Sequence, residues 1–380
     1  MSDPTAVCFF SVNAYSLFDA RFGITHGGAE TQMYFYALEL AKDKKFRVDF
    51  VVADVGQPKC GEFSNIRVHS SYKLKAENWV QKIGRTVCLF RTLWASKPDV
   101  VLSRGAGVES GLISAFCLLF RKKYFLMISH DSECISRFTD VPGGRGIRGW
   151  SFQFAVRTAS AVFSQTQYQQ KLLRTRKRRA SEVIRNGWPK LHPSQFKKRA
   201  ERDIDVLWIA RLEAFKNPEA LIGIAQVCSD LKFTVVGSIG NDQGYGEEIV
   251  SKLNSLPNLE YLSAMRIDQV DDLCSRALVF LNTSFAEGYP NTLIQAMRSG
   301  TPLVSLHINP DQIFHPGLTG LYGFAQEKLC VDVIRWLIND ANAWSWFSHR
   351  SFDQWDRDHR LEETSEKLKN LIVEYTGGSS

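Results

Sequence analysis

Across its 380 residues this chain alternates short runs of β-branched and aromatic residues with segments of helical periodicity. The runs fall at residues 6–12, 47–52, 100–103, 124–128, 161–164, 205–209, 232–236, 277–282 and 303–306. Between the first two, Met33, Ala37, Leu40 and Ala41 recur at helical spacing, and residues 221–227 carry the same pattern. Strands separated by helices pair in parallel, with the helices laid across the sheet faces, so the expected fold is α/β with doubly wound parallel sheets. A chain of this length exceeds what one hydrophobic core usually supports, and two domains are expected. The break falls at residues 188–202, where Pro189, His192 and Pro193 meet a basic run before a fresh strand at 205. Domains are therefore expected at 1–190 and 203–360, with ligands beyond the carboxyl ends of the strands and a cleft between the two sheets.

Composition narrows the class. With 44% hydrophobic and 23% charged residues the chain is globular throughout. The net charge of +7 conceals a division: residues 1–200 hold 32 Lys and Arg against 15 Asp and Glu, and the remainder 15 against 25. The excess gathers at residues 121–123, 174–179 and 197–199, a field that attracts phosphates of nucleic acid, anionic lipid or a charged acceptor. Solvated helix ends are the plainer account of any single cluster. Eight scattered cysteines, with no C-x-x-C, indicate buried thiols in a reducing compartment instead of disulfides or a metal site. The opening Met-Ser-Asp-Pro lacks signal-peptide character, and the apolar stretch at 105–120 is interrupted by Glu109 and falls short of the roughly 20 residues of a membrane span. A cytoplasmic protein follows, with peripheral attachment to the inner membrane face through its basic half.

Five loops that follow strands carry the chemistry. The run at 277–282 leads into Glu287-Gly288-Tyr289-Pro290-Asn291-Thr292 and a helix that stops at Gly300. A Gly-containing loop with Pro at a helix start aims backbone N–H groups at an anion, either a phosphate or a sugar. Glu287 just ahead of it suits a developing positive charge or sugar hydroxyls, although a first-turn acid that stabilises the helix dipole is the structural account. The run at 205–209 leads to Arg211 and Lys216, suited to clamp a diphosphate, the one as a bidentate fork and the other as a point charge. The first strand is followed by His26-Gly27-Gly28-Ala29-Glu30, whose paired glycines permit close backbone approach to a ligand. His130 ends another strand beside Asp131, which could orient its ring, and Asn186-Gly187 reads as a turn closing a short strand. Gly105-Ala106-Gly107-Val108-Glu109-Ser110-Gly111 imitates a dinucleotide fingerprint, but it sits on a later turn than such a motif requires.

Taken in order, these loops resemble glycosyltransferase family 4, the retaining group 1 glycosyltransferases of GT-B fold. The resemblance rests on Gly27-Gly28-Ala29-Glu30, His130-Asp131, Asn186-Gly187, Arg211 with Lys216-Asn217-Pro218, Gly237, and Glu287-Gly288-Tyr289-Pro290-Asn291 through Ala296-Met297. It implies two Rossmann-like domains facing a central cleft, the first binding acceptor and the second the nucleotide sugar, with a helix at 361–376 packed back on the first. It further implies that Arg211 and Lys216 neutralise the diphosphate without a metal or other cofactor. Glu287 and the backbone of Gly288, Tyr289, Pro290, Asn291 and Thr292 would contact the sugar, Gly237 and Gly28 the donor, and His130 the sugar near its exocyclic carbon. The phosphate itself would take the acceptor's proton. One position departs from the pattern: Gln295 stands where a second glutamate normally grips the ribose, and glutamine offers no charged acceptors for a diol. The implied partners are a nucleotide sugar, by family habit UDP-linked, and a glycan or lipid-linked acceptor in cell-surface polysaccharide synthesis, with no nucleic acid. The competing readings are a GT-B-like protein that binds nucleotide sugars without turnover, and a GT-B epimerase or phosphorylase, for which no additional acid or base is evident.

Overall fold

The chain divides into two units, Met1–Gly187 with Leu361–Ser380, and Trp188–Arg360. The structure, a computed structural model, describes residues 3–23, 26–75, 78–135, 146–314 and 319–377.

In chain order the first unit comprises β1 (Thr5–Phe10), α1 (Tyr15–Phe18), α2 (Gly28–Ala41), β2 (Phe46–Val52), β3 (Cys60–Phe63), β4 (Ile66–Ser70), α3 (Trp79–Ser96), β5 (Val100–Arg104) and α4 (Val108–Leu119). It continues with β6 (Lys123–Met127), α5 (Ile147–Thr158), β7 (Ala161–Ser164), α6 (Gln167–Leu172) and β8 (Glu182–Val183). The sheet order is β3-β4-β2-β1-β5-β6-β7-β8, parallel except for the β3–β4 hairpin. Central strands are buried almost without interruption, as expected where helices cover both faces. On one face Phe10, Val101 and Leu126 pack with Ile113, Phe116 and Phe152 of α4 and α5.

The second unit runs β9 (Ile204–Ile209), α7 (Pro218–Val227), β10 (Phe233–Val236), α8 (Gln243–Asn254), β11 (Leu259–Leu262), α9 (Ile267–Arg276) and β12 (Ala277–Asn282). It ends with α10 (Asn291–Arg298), β13 (Leu303–Ser305), β14 (Gly320–Tyr322), α11 (Glu327–Asn339) and α12 (Ala341–Asp358). Its six strands are ordered β11-β10-β9-β12-β13-β14, each pair parallel. Val206, Trp208, Val279 and Leu281 of the central strands pack with Leu221 and Ile224 of α7 and with Ile334 and Leu337 of α11. The last helix, α13 (Leu361–Gly377), belongs to the first unit, where it packs on α2 and sets Tyr375 against Phe125 at 5.2 Å between ring centroids.

Two expectations change here. The strands β3, β4, β11 and β14 carry too little apolar signal to be read from sequence, because all but β4 are short, partly exposed edge pieces. The division between units falls at the first residue of the break expected at 188–202, and residues 188–202 belong to the second unit. The buried Arg202 guanidinium donates to the carbonyls of Ala277 at 2.6 Å and Ser299 at 2.6 Å and to Thr301 Oγ1 at 2.7 Å, while lying over the Trp344 ring. Burial pulls its pKa down to about 10, yet those acceptors hold the charge in place. At the sheet edge, a Cβ added to Gly320 would lie 1.9 Å from the carbonyl oxygen of Leu303. Gly320→Ala is accordingly expected to cost about 1–3 kcal/mol, read as a lower denaturant midpoint with unchanged slope.

Candidate active site

In each sheet the strand order reverses direction once, and the crevice beyond the carboxyl ends at that reversal is where open α/β sheets bind ligands. In the second unit the chain winds outward from β9 to β11, then returns to place β12 on the other side of β9. The two loops at this reversal are residues 210–217 and 283–290, the very segments that hold Arg211, Lys216 and Glu287.

Side-chain and main-chain hydrogen bonds stitch these loops together. Trp208 Nε1 donates to Thr283 Oγ1 at 2.9 Å, the Thr283 hydroxyl donates to the Lys216 carbonyl at 2.8 Å, and the Phe285 N–H donates to the Phe215 carbonyl at 2.9 Å. The result brings Lys216 Nζ into an ion pair with Glu287 Oε1, with side-chain exposures of only 14% and 12%. The ammonium also lies 4.8 Å from the centre of the Phe215 ring. Asn217, in the left-handed region at φ 54°, caps α7 by accepting from the Ala220 N–H, and its Nδ2 lies 3.3 Å from His307 Nε2. Burial holds the His307 imidazole below its ordinary pKa. Sequence reading gave no role to Thr283, Phe285 or His307; only the Lys-Asn-Pro triplet signalled Asn217.

Arg211 lies on the same loop but is more open, at 56% side-chain exposure, and pairs with Glu213 Oε1 at 3.0 Å. Gly237 follows β10, where a Cβ would stand 2.1 Å from the Ala210 carbonyl oxygen, so the absence of a side chain lets the β9 loop close against β10. Beyond Glu287, Gly288, Tyr289 and Pro290 are buried, whereas Asn291 and Thr292 at the start of α10 are half-buried. Pro290 caps α10 without a side-chain bond, and the Tyr289 hydroxyl turns inward to His359 Nε2 at 2.9 Å. Gln295, 4% exposed, donates its amide to Asp271 Oδ1 at 2.8 Å, and Arg298 pairs with that same oxygen at 2.5 Å. Its nitrogen therefore works inside the domain, which leaves Oε1 as its one side-chain acceptor for a ligand hydroxyl.

The first-unit candidates also acquire partners. Gly27 and Gly28 form the start of α2, where the Gly27 N–H donates to Glu30 Oε2 at 2.9 Å. His130 Nδ1 accepts from the Ser132 N–H at 3.1 Å and lies 2.9 Å from Ser132 Oγ. The ring is thus oriented by Ser132 and not by Asp131, which accepts from Gln169 instead, because the chain turns at once into the short helix Asp131–Cys134. Asn186-Gly187 is not an exposed turn: Asn186 bonds Arg104 and Gln165, and Gln32 takes both backbone groups of Gly187. The preceding strand shrinks to Glu182–Val183. At the reversal between β1 and β5 lies a cavity of about 370 Å³ lined in part by Gly105, Gly107, Glu30 and Arg104, so the glycine run that imitates a dinucleotide fingerprint forms the wall of a pocket. The eight cysteines are free thiols, only Cys60 exposed. Among the described residues no helix is long and apolar enough to cross a membrane.

The fold is that of the GT-B glycosyltransferases. Sucrose-phosphate synthase from Thermosynechococcus elongatus superposes with a TM-score of 0.78 at 15% identity, covering 99% of this chain and 100% of that one. The catalytic domain of starch synthase IV from Arabidopsis thaliana, bound to ADP and acarbose, gives 0.70 at 11% identity, covering 99% and 100%. The pneumococcal O-GlcNAc transferase in complex with UDP and GlcNAc gives 0.59 at 14% identity, covering 85% of this chain and 63% of that one. No curated protein has a sequence that matches this chain significantly. Residues 203–340, within the second unit, match the family described as Glycosyl transferases group 1.

Two predictions test this geometry. Lys216→Met, which leaves a mostly buried carboxylate without its cation, is expected to destabilise the unliganded protein by about 1–3 kcal/mol. Adding Glu287→Gln should recover part of the loss, and a double-mutant cycle with coupling below about 0.5 kcal/mol would remove the pair from the account. Gln295→Glu would set a second carboxylate on Asp271 with only Arg298 to offset it. Like charges raise a carboxyl pKa in the folded state, so the variant's stability deficit should be largest at neutral pH and shrink as pH falls through the carboxylate range, with donor turnover retained.

Proposed function

We propose that this protein is a retaining glycosyltransferase that moves a hexose from a nucleotide-sugar donor to a glycan or lipid-linked acceptor in cell-surface polysaccharide synthesis. The observation that carries the reading is the Lys216–Glu287 pair, held at the strand-order reversal of a group 1 domain. In the unliganded protein each group neutralises the other. When a donor enters, the ammonium meets the diphosphate, joined by Arg211, and the carboxylate turns to the hydroxyls of the sugar; the start of α10 supplies backbone donors. As the bond from the anomeric carbon to the phosphate oxygen breaks, the acceptor oxygen bonds the same face of that carbon and its proton passes to the departing phosphate. These cations take the role a divalent metal has elsewhere, and no cofactor is invoked. For His130, Gly27 and Gly28, which belong to the first unit, and for Gly237, the assignment rests on the resemblance in sequence.

The acceptor is assigned to the first unit, whose cavity at the β1–β5 reversal is of a size that takes a small ligand. The basic excess of that half supports attachment to an anionic membrane surface on the cytoplasmic side. A uridine nucleotide is the proposed donor base, as in the UDP complex of the pneumococcal transferase. The competing reading, a binder without turnover, draws on Gln295 and its engagement by Asp271.

A thermal-shift panel of nucleoside diphosphates tests donor binding: the matching one, at a hundred times its dissociation constant, is expected to stabilise by about 2.7 kcal/mol, and silence across all bases would sink the proposal. Slow donor hydrolysis without acceptor separates enzyme from binder. Glu287→Ala is expected to lower it by about 100-fold while the thermal shift persists.

A further inference from the structure

Apart from the site at the β9–β12 reversal, the second unit holds a cavity of about 590 Å³ between residues 190–199 and one face of α12. Its floor is apolar, built from Leu191, Pro193 and Phe196 on one side and Trp344 and Phe352 on the other, with the Phe196 and Phe352 rings edge to face at 6.0 Å. Arg202 and the Trp344 N–H bond to the Leu278 carbonyl fix the Trp344 wall. Around this floor stand Lys190, Lys197, Lys198 and Arg199, and no Asp or Glu is among the described lining residues. Lys197 reaches only to 3.8 Å from Asp272, and Arg199 gives Nη2 to the Ile338 carbonyl while its Nε is buried with no hydrogen-bond partner among the described residues. Phe196, an aromatic side chain, is 44% exposed.

Four cations round an apolar hollow of the second unit are unexplained by donor chemistry. A sugar nucleotide would need converging polar groups on the floor, and a nucleic-acid backbone would gain nothing from the aromatic walls. We propose that this cavity binds an anionic phospholipid of a bilayer, its acyl chain lying between Phe196, Trp344 and Phe352 and its phosphate on Lys197, Lys198 and Arg199. The site stands whether or not the transferase reading holds, since it shares no residue with Lys216, Arg211 or Glu287.

The test is co-sedimentation of the full chain with vesicles of phosphatidylcholine alone or with phosphatidylglycerol added. Binding is expected only with phosphatidylglycerol. Lys197→Glu with Lys198→Glu should weaken it by at least about tenfold. Ser345→Trp, which fills the hollow from the α12 side without altering charge, should weaken it comparably; Ala341→Trp serves if that variant fails to fold. Both leave donor hydrolysis unchanged. Lysophosphatidic acid should raise the melting temperature and inorganic phosphate should not. Equal binding to neutral vesicles, an equal shift with inorganic phosphate, or binding that survives Ser345→Trp but is lost on Arg176→Glu with Arg178→Glu would overturn the proposal.

Discussion

The placement of a lysine against a glutamate 71 positions further along the chain depends on how β12 returns to lie beside β9. Once those strands are paired in parallel, their following loops must share the ground beyond the sheet. The Thr283 hydroxyl, receiving from Trp208 and giving to the Lys216 carbonyl, then locks the two loops in one geometry. The charge pair is a consequence of this backbone stitching more than its cause, since a half-buried ion pair returns little beyond the desolvation it incurs. Such a pair holds two groups of opposite charge just ahead of the start of α10, where the proposed function would set a phosphate against the one and a sugar against the other.

Close approaches that only glycine permits maintain this arrangement. Gly237 lets the end of β10 meet the Ala210 carbonyl, and Gly320 lets β14 pair with β13. At the amino ends of β9 and β12, Arg202 ties residues 197–202 to the ends of α9 and α10 and the start of β12. A segment that looks like a linker in composition is therefore a structural part of the domain, and the hollow it forms with α12 follows from that anchoring.

Strands with continuous apolar character were legible: β7 and β12 occupy the expected residues, and β1, β2, β5, β6, β9, β10 and β13 differ by only one or two at their ends. Edge strands escaped because β3 and β11 alternate with solvent and carry little more apolar signal than a loop. The loops at the strand ends were legible as candidate sites because glycine, proline and charge interrupt the pattern there. Their partners were not: the residue that orients His130 is Ser132, two positions on, where an adjacent Asp131 had the better chemical claim.

The order of strands and helices, the two-domain size and the identity of the charged loop residues were determined by the sequence, because periodicity and composition are local properties. Which groups those residues meet was decided only by the tertiary structure. Glu213 holds Arg211, and Asp271 takes the amide of Gln295. A hydrogen bond or packing contact depends on distance in space, and the register of a parallel sheet sets that distance through crossovers whose far ends no local pattern encodes.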